Sequence, residues 1–203
     1  MSVTLGAGNY AGLENYLVLE GLAYRITPFN FGSMGMIDSR LMYQNMMTRF
    51  RFGNVNKPGI YLDETVGRMC QTHRRMFIML ANNLLHRGDK KQALKVLQKC
   101  HKELPDATIP FTDDDSQLAT LWLEAGDSKM AAQVAKKVID YDLQYLAYLN
   151  SLGTGNIHTY GRTLYYLVTS VVEATQALNG SGDPQADAYA KRVQQMSGTE
   201  AFA

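Results

Sequence analysis

Three Gly-Asp pairs punctuate the second half of this 203-residue chain: Gly88-Asp89, Gly126-Asp127 and Gly182-Asp183. Each follows an apolar helical stretch and precedes an amphipathic one that carries alanine. Such punctuation fits a succession of helical hairpins, an architecture used for binding surfaces and spacers. It constrains the fold more than any other feature, because no comparable pattern of catalytic residues accompanies it.

An apolar content of 46% and a net charge of +1 fit an ordinary globular chain long enough to bury a core. The charge is uneven: residues 1–105 hold 14 Lys/Arg against 7 Asp/Glu, and residues 106–203 hold 6 against 12. A dipolar chain of this kind can dock on a charged surface, although exposed helix faces carry such imbalance by themselves. No stretch approaches the ~18 apolar residues of a membrane span, and the N-terminus lacks the basic start and apolar run of a signal peptide. Cys70 and Cys100 fall on two helices hinged at Gly88, offset by about 9 Å along the helix axis. A disulfide needs Cα atoms within ~7 Å, so both read as buried small residues.

The first 30 residues differ from the rest. Ser2 to Leu5 favours a strand, Leu13 to Leu19 a short helix, and Leu22 to Thr27 a second strand that Pro28 stops; together they suit a parallel pair. A glycine-rich loop spans 30–37. Asp38 or Ser39 caps a helix that runs to about Phe50. Residues 61–87 then carry one apolar stripe, Leu62, Val66, Met69, His73, Met76, Phe77, Leu80 and Leu84, on steps of three and four. Gly88 ends this helix. Its partner, 90–104, turns Ala93, Leu94, Leu97, Cys100 and Leu104 inward and Lys91, Lys95, Lys99 and Lys102 outward.

This hairpin resembles the tetratricopeptide repeat: Phe77-x2-Leu80-Ala81-x2-Leu84, Ala93-x3-Leu97 and Pro105 stand where that template has its large, small and terminal proline positions. A second copy reads Leu118-Ala119-x2-Trp122, then Ala131-x3-Ala135, with a second helix extending toward Asn150. A third is degraded, from Ile157 to Leu178, with Pro184 opening a final helix to about Met196. The Gly-Asp spacings of 38 and 56 exceed the usual ~34.

The N-terminal third carries a second resemblance. Asn9-Tyr10, Leu19-Glu20-Gly21-Leu22-Ala23-Tyr24-Arg25, Tyr43-Gln44-Asn45-Met46-Met47, Phe50-Arg51-Phe52-Gly53-Asn54, Tyr61-Leu62-Asp63-Glu64 and Arg68-Met69 resemble the C-terminal soluble region of glycosyltransferase family 117. These are multi-spanning bacterial inner-membrane proteins similar to protein O-mannosyltransferases. The resemblance covers roughly residues 2–105. It implies that the chain is the tail of a longer protein whose membrane helices and acidic catalytic loop lie upstream. It also implies a periplasmic location beside the membrane-embedded part.

Several patterns resemble sites. Gly6-x-Gly8-x3-Gly12 misses the dinucleotide fingerprint by one position, and no acidic residue ends a second strand. Asp113-Asp114-Asp115 matches a metal-holding Asp-x-Asp, yet it directly precedes a helix, where carboxylates cap. His73, His86, His101 and His158 show no metal spacing. The lysine row of 90–104 lacks the interleaved aromatics of a nucleic-acid face. The best candidates are Glu20, Tyr24, Arg25, Arg49, Arg51, Tyr61, Asp63, Glu64 and Arg68. In one reading they are ion pairs that lock the β-containing part onto the first hairpin. In the other, Arg25, Arg49 and Arg68 with Tyr24 and Tyr61 hold an acidic or glycan ligand.

We therefore expect a mainly α fold, tetratricopeptide-like, with a small β-containing N-terminal segment (1–60) ahead of hairpins at 61–105, 113–150 and 157–197. The expected role is non-catalytic: an accessory domain that binds or positions a protein or glycan partner, with no cofactor, metal or nucleic acid. A free-standing helical scaffold is the alternative, and an enzyme with its site in the N-terminal segment a third.

Overall fold

The computed structural model describes residues 1–32, 36–112, 115–152 and 157–197. The chain is mainly α with a small N-terminal sheet. It divides into two compact units, residues 1–109 and 110–203, so the first hairpin shares a unit with the β-containing segment.

The first unit opens with three short strands, β1 (Leu17–Leu19), β2 (Tyr24–Ile26) and β3 (Met36–Ile37), in the order β2-β1-β3. Three expectations need correction here. The Ser2–Leu5 strand reduces to one bridge between Ser2 and Ala23. The Ser2 hydroxyl and carbonyl capture the N–H groups of Thr4 and Leu5, curling the chain locally instead of leaving it extended. The Leu13–Leu19 helix is a single 3-10 turn, Glu14–Tyr16, followed by β1. All three residues of β1 are buried, and a continuous apolar run enclosed on both faces suits a central strand. The parallel pairing expected of Ser2–Leu5 with Leu22–Thr27 is not formed: the Ser2–Ala23 bridge is antiparallel, and β2 pairs antiparallel with β1, only four residues before it, where a parallel pair would need a long crossover. The parallel partner is β3, inside the stretch read as a loop.

Helix α1 (Ser39–Gln44) starts where expected, with the Asp38 carboxylate accepting from Leu41 N at 2.9 Å. It widens into a π turn over Asn45–Arg49, closed by Phe50 N donating to Asn45 O at 3.1 Å. Helix α2 (Glu64–His86) is capped by Asp63, and α3 (Lys90–Glu103) by Asp89. The buried line of α2 includes Cys70, Arg74, Phe77, Ala81 and Leu84, on steps of four and three. Met69, expected on the inner stripe, is 54% exposed, one position off that line. On α3, Val96 joins Ala93, Leu97 and Cys100 in the core. Cys70 and Cys100 are both buried and free.

The second unit contains α4 (Leu118–Glu124), α5 (Ser128–Ser151), α6 (Ile157–Ser181) and α7 (Ala186–Ser197). The core of α5 and α6 is built from small and branched side chains: Ala131, Ala135, Val138 and Ile139 against Leu167, Val171, Ala174 and Leu178, all buried. Small residues let helices approach closely, and the branched ones fill the intervening gaps.

The Gly-Asp pairs acquire a physical meaning in this frame. Gly88 (φ +79°) and Gly126 (φ +97°) take the left-handed conformation that stops a helix. Gly88 N donates to Leu85 O at 2.8 Å and Asp89 N to Leu84 O at 2.9 Å; Gly126 and Asp127 repeat both bonds on Leu123 and Trp122 at 3.0 Å. The same aspartates then open the following helix: Asp89 Oδ1 accepts from Gln92 N, and Asp127 Oδ1 from Met130 N, both at 3.0 Å. One dipeptide thus closes one helix and starts the next with a gap of three residues. The third pair keeps the glycine (φ +72°) and its bond, Gly182 N donating to Asn179 O at 3.2 Å, but its aspartate departs from the pattern. Asp183 N donates to Ser181 Oγ, and its carboxylate accepts from Gln185 N at 2.9 Å and from Lys136 Nζ at 2.9 Å. Asp127→Ala should therefore cost about 1 kcal/mol, the usual worth of an N-cap, measurable by denaturant unfolding. Asp127→Asn, which keeps the acceptor, should cost much less.

Candidate functional site

The sequence-predicted site residues form two separate groups in the first unit. One surrounds the β1–β2 turn. Gly21 there has φ +141°, a region reserved almost entirely for glycine, and a Cβ at this position would stand 2.9 Å from Cζ of Phe50. The Phe50 ring thus meets the turn end-on, with its Cζ edge toward Gly21. Beside it, Asn45 Nδ2 donates to Glu20 O at 2.8 Å, and Arg49 Nη1 donates to Asn45 Oδ1 at 3.1 Å. Both ends of the Asn45 amide are engaged. The Glu20 carboxylate in turn accepts from Arg25 Nε, a contact from one side of the hairpin to the other.

The π turn explains why this works. Adding one residue to a helical turn re-aims the side chains that follow it. Here Asn45, which opens the π turn, reaches the β turn, and the added residue delivers Phe50 to Gly21. We expect Gly21→Ala to cost about 2–3 kcal/mol, from backbone strain together with displacement of the ring. A thermal melt checks it; an unchanged midpoint would mean that the turn relaxes freely.

The second group lies at the start of α2. Asp63 Oδ1 accepts from Val66 N at 2.8 Å as the helix cap. Glu64 and Arg68 form a loose, exposed pair at 3.9 Å, one helical turn apart. Such a pair contributes a few tenths of a kcal/mol at most. Tyr61 is 87% exposed. Arg51 Nη1 donates to Thr48 O at 3.4 Å. Tyr24 packs edge-on against Tyr10, ring centroids 6.1 Å apart, and burial followed by the neighbouring Tyr10 raises its hydroxyl above the usual tyrosine value. Among the described residues no hydrogen bond or ion pair joins the two groups.

Sequence reasoning missed the most enclosed cation. Arg74 is 1% exposed and donates through Nη2 to Leu104 O at 3.1 Å and Ile109 O at 2.5 Å. It fastens the chain after α3 to α2. The available signal was its place on the apolar stripe: Arg74 sits four residues after Cys70 and three before Phe77. Burial raises the Cys70 thiol, and the Arg74 charge only partly opposes this. Three smaller fastenings were also missed: Arg87 to Ser39 Oγ, Lys99 Nζ to Met47 O at 2.8 Å, and Asn56 Nδ2 to Lys102 O at 3.1 Å. Lys99, expected to point outward, also lies 5.9 Å from the centroid of Phe52.

The other sequence candidates have local partners. His73 Nδ1 lies 2.7 Å from Met69 O, and its ring meets Phe50 and Phe52 edge-on. Asp115 is buried and accepts from Thr112 N at 2.9 Å, so it stabilises the preceding turn instead of capping α4, whose N-cap is Gln117. Asp113 and Asp114 lie outside the described residues, as does the side chain of His158. Among the described residues no group of three His, Cys, Asp or Glu is placed to hold a metal ion, and no helix is long and apolar enough to cross a membrane.

Compared with known protein families, curated proteins and solved structures, the chain matches none.

Proposed function

We propose that this chain is a non-catalytic interaction domain: a tetratricopeptide-like helical module that binds or positions a protein or glycan partner. Within that proposal it is the periplasmic tail of a membrane glycosyltransferase-like protein. One observation carries it. The charged residues that looked most like a site are employed as connectors: Arg25 pairs with Glu20, Arg49 is tied to the Glu20 backbone through Asn45, and Asp63 caps α2. A catalytic group needs a neighbour that activates it and a place for a reacting atom. These residues instead satisfy one another and the backbone. Helical hairpins closed by Gly-Asp turns favour the repeat-module reading.

Arg68, one of the three arginines read as a ligand set, has an exposed guanidinium and only a weak partner. Arg68→Ala should leave the melting temperature within about 1 °C, because the exposed pair contributes little. Stability and binding therefore separate cleanly at this position. An envelope-protein pull-down and a glycan array, each run with wild type and Arg68→Ala, test the role. Loss of a captured partner in the folded variant assigns Arg68 to binding, and unchanged capture assigns the contact elsewhere. No capture in either format counts against an interaction domain.

A further inference from the structure

The tip of the α5–α6 hairpin differs chemically from the rest of the chain. Six of the 12 tyrosines fall between residues 141 and 166. From Leu143 to Val172 the only residue of DEKR type is Arg162. On α5, Tyr141, Tyr145 and Tyr148 form a row, with ring centroids 6.4 and 6.3 Å apart and the last two stacked. On α6, Tyr165 and Tyr166 touch at 5.7 Å. Tyr148 is 57% exposed and Tyr165 68%; Tyr141, Tyr166 and Val172 are exposed as well. These five are the exposed large apolar residues of the second unit among those described.

Their position follows from helix lengths. Helix α4 has 7 residues, about 10 Å, whereas α5 has 24, about 36 Å. Folded back at Gly126, α4 reaches only to about the level of Ala135. Helix α7 is fastened to α5 at Lys136 and Asp140 through Asp183, Tyr189 and Arg192, which marks a different flank of α5 from the tyrosine row. Tyr141, Tyr145 and Tyr148 therefore lie past the end of α4 and turned away from α7. Antiparallel pairing brings Tyr165 and Tyr166 to the same end.

We infer that this tyrosine-rich tip is a self-association surface, and that its partner is a second copy of this chain related by a two-fold axis. Two copies of one patch carry the same net charge and repel when that charge is large, so a patch with almost none suits an isologous contact. Interface cores are likewise depleted in charge and enriched in tyrosine. The exposed side chains offer on the order of 500 Å² per copy, so a pair covers about 1,000 Å², the lower bound for a specific interface. The dimer should therefore be weak, with a dissociation constant in the micromolar range.

Sedimentation velocity on the full chain between about 1 and 200 µM tests this inference. A concentration-dependent dimer is expected. Tyr148→Glu and Tyr165→Glu should each weaken it at least tenfold with unchanged circular dichroism. Ile26→Glu, at an exposed site in the first unit, should leave it intact. A photo-crosslinking residue at position 148 gives a second measurement, expected to join two copies through α5 or α6. A monomer across the whole range overturns the inference, as does a dimer indifferent to both glutamates. A monomer whose tyrosine signals shift instead with a neutral oligosaccharide overturns it in favour of a ligand surface.

Discussion

Replacing Arg74 with methionine is expected to lower stability by about 3 kcal/mol or more, the largest single effect in the first unit. Methionine approximates the length of the aliphatic stem, so packing is partly kept and the hydrogen bonds are what is lost. Leu104 O and Ile109 O would each lose the guanidinium, and a buried polar group left without its partner costs about 1–3 kcal/mol. For a unit of this size the midpoint should fall by roughly 10 °C or more. Arg74→Lys should recover only part of this, since its ammonium ends one bond short of Nη2, the nitrogen that reaches both carbonyls. Thermal melts followed by circular dichroism decide it. A methionine variant melting within about 2 °C of wild type would show that water replaces the guanidinium without loss.

In the second unit, Trp122→Ala should cost about 3–5 kcal/mol, the range for deleting a large buried aromatic. Trp122 is 2% exposed and sits on α4, which has too few turns to be stable alone. Its carbonyl also receives Asp127 N in the Gly-Asp turn, so the residue that anchors α4 also helps set the start of α5. The chain has a single tryptophan, so the variant must be followed by circular dichroism or amide exchange. Loss of protection is expected along α4 and the first turns of α5. Trp122→Phe should restore much of it, because the ring still fills most of the space.

The helices were legible where a local rule governs them. Gly88-Asp89 and Gly126-Asp127 are stop-and-start signals written in two residues, and α2, α3 and α5 fell close to their expected bounds. The caps at Asp38, Asp63, Asp89 and Asp127 follow from the free N–H groups that any helix start presents. Gly182-Asp183 shows how far the rule extends. The same dipeptide still ends a helix, but with Lys136 close by the aspartate serves an ion pair. The Gln185 N–H first, and Lys136 second, hold that carboxylate below its ordinary value.

The sheet was less legible because its strands are two or three residues long. Over so short a span periodicity carries no signal, and tertiary enclosure decides the conformation. Leu17-Val18-Leu19 is a strand because both of its faces are covered, which the residues alone do not state. Ser2 to Leu5 has strand propensity, yet one serine side chain diverts it. The candidate site was legible as a set of residues and not as an arrangement. Glu20 and Arg25 pair directly, but Arg49 joins them only through Asn45, a neutral residue that a search for charges passes over. Tyr61 and Arg68 stay apart from them. Arg74 was hidden for the opposite reason: an arginine on a helix is ordinarily taken to be exposed.

The most direct test of the account is to offer the isolated chain both a partner and a chance to act on it. Envelope extract and a glycan array supply partners, and a lipid-linked sugar donor with acceptor peptide supplies a reaction. A binding module predicts saturable capture in at least one of the first two and no sugar transfer in the third. Transfer by this chain, or silence across both binding formats, would contradict it.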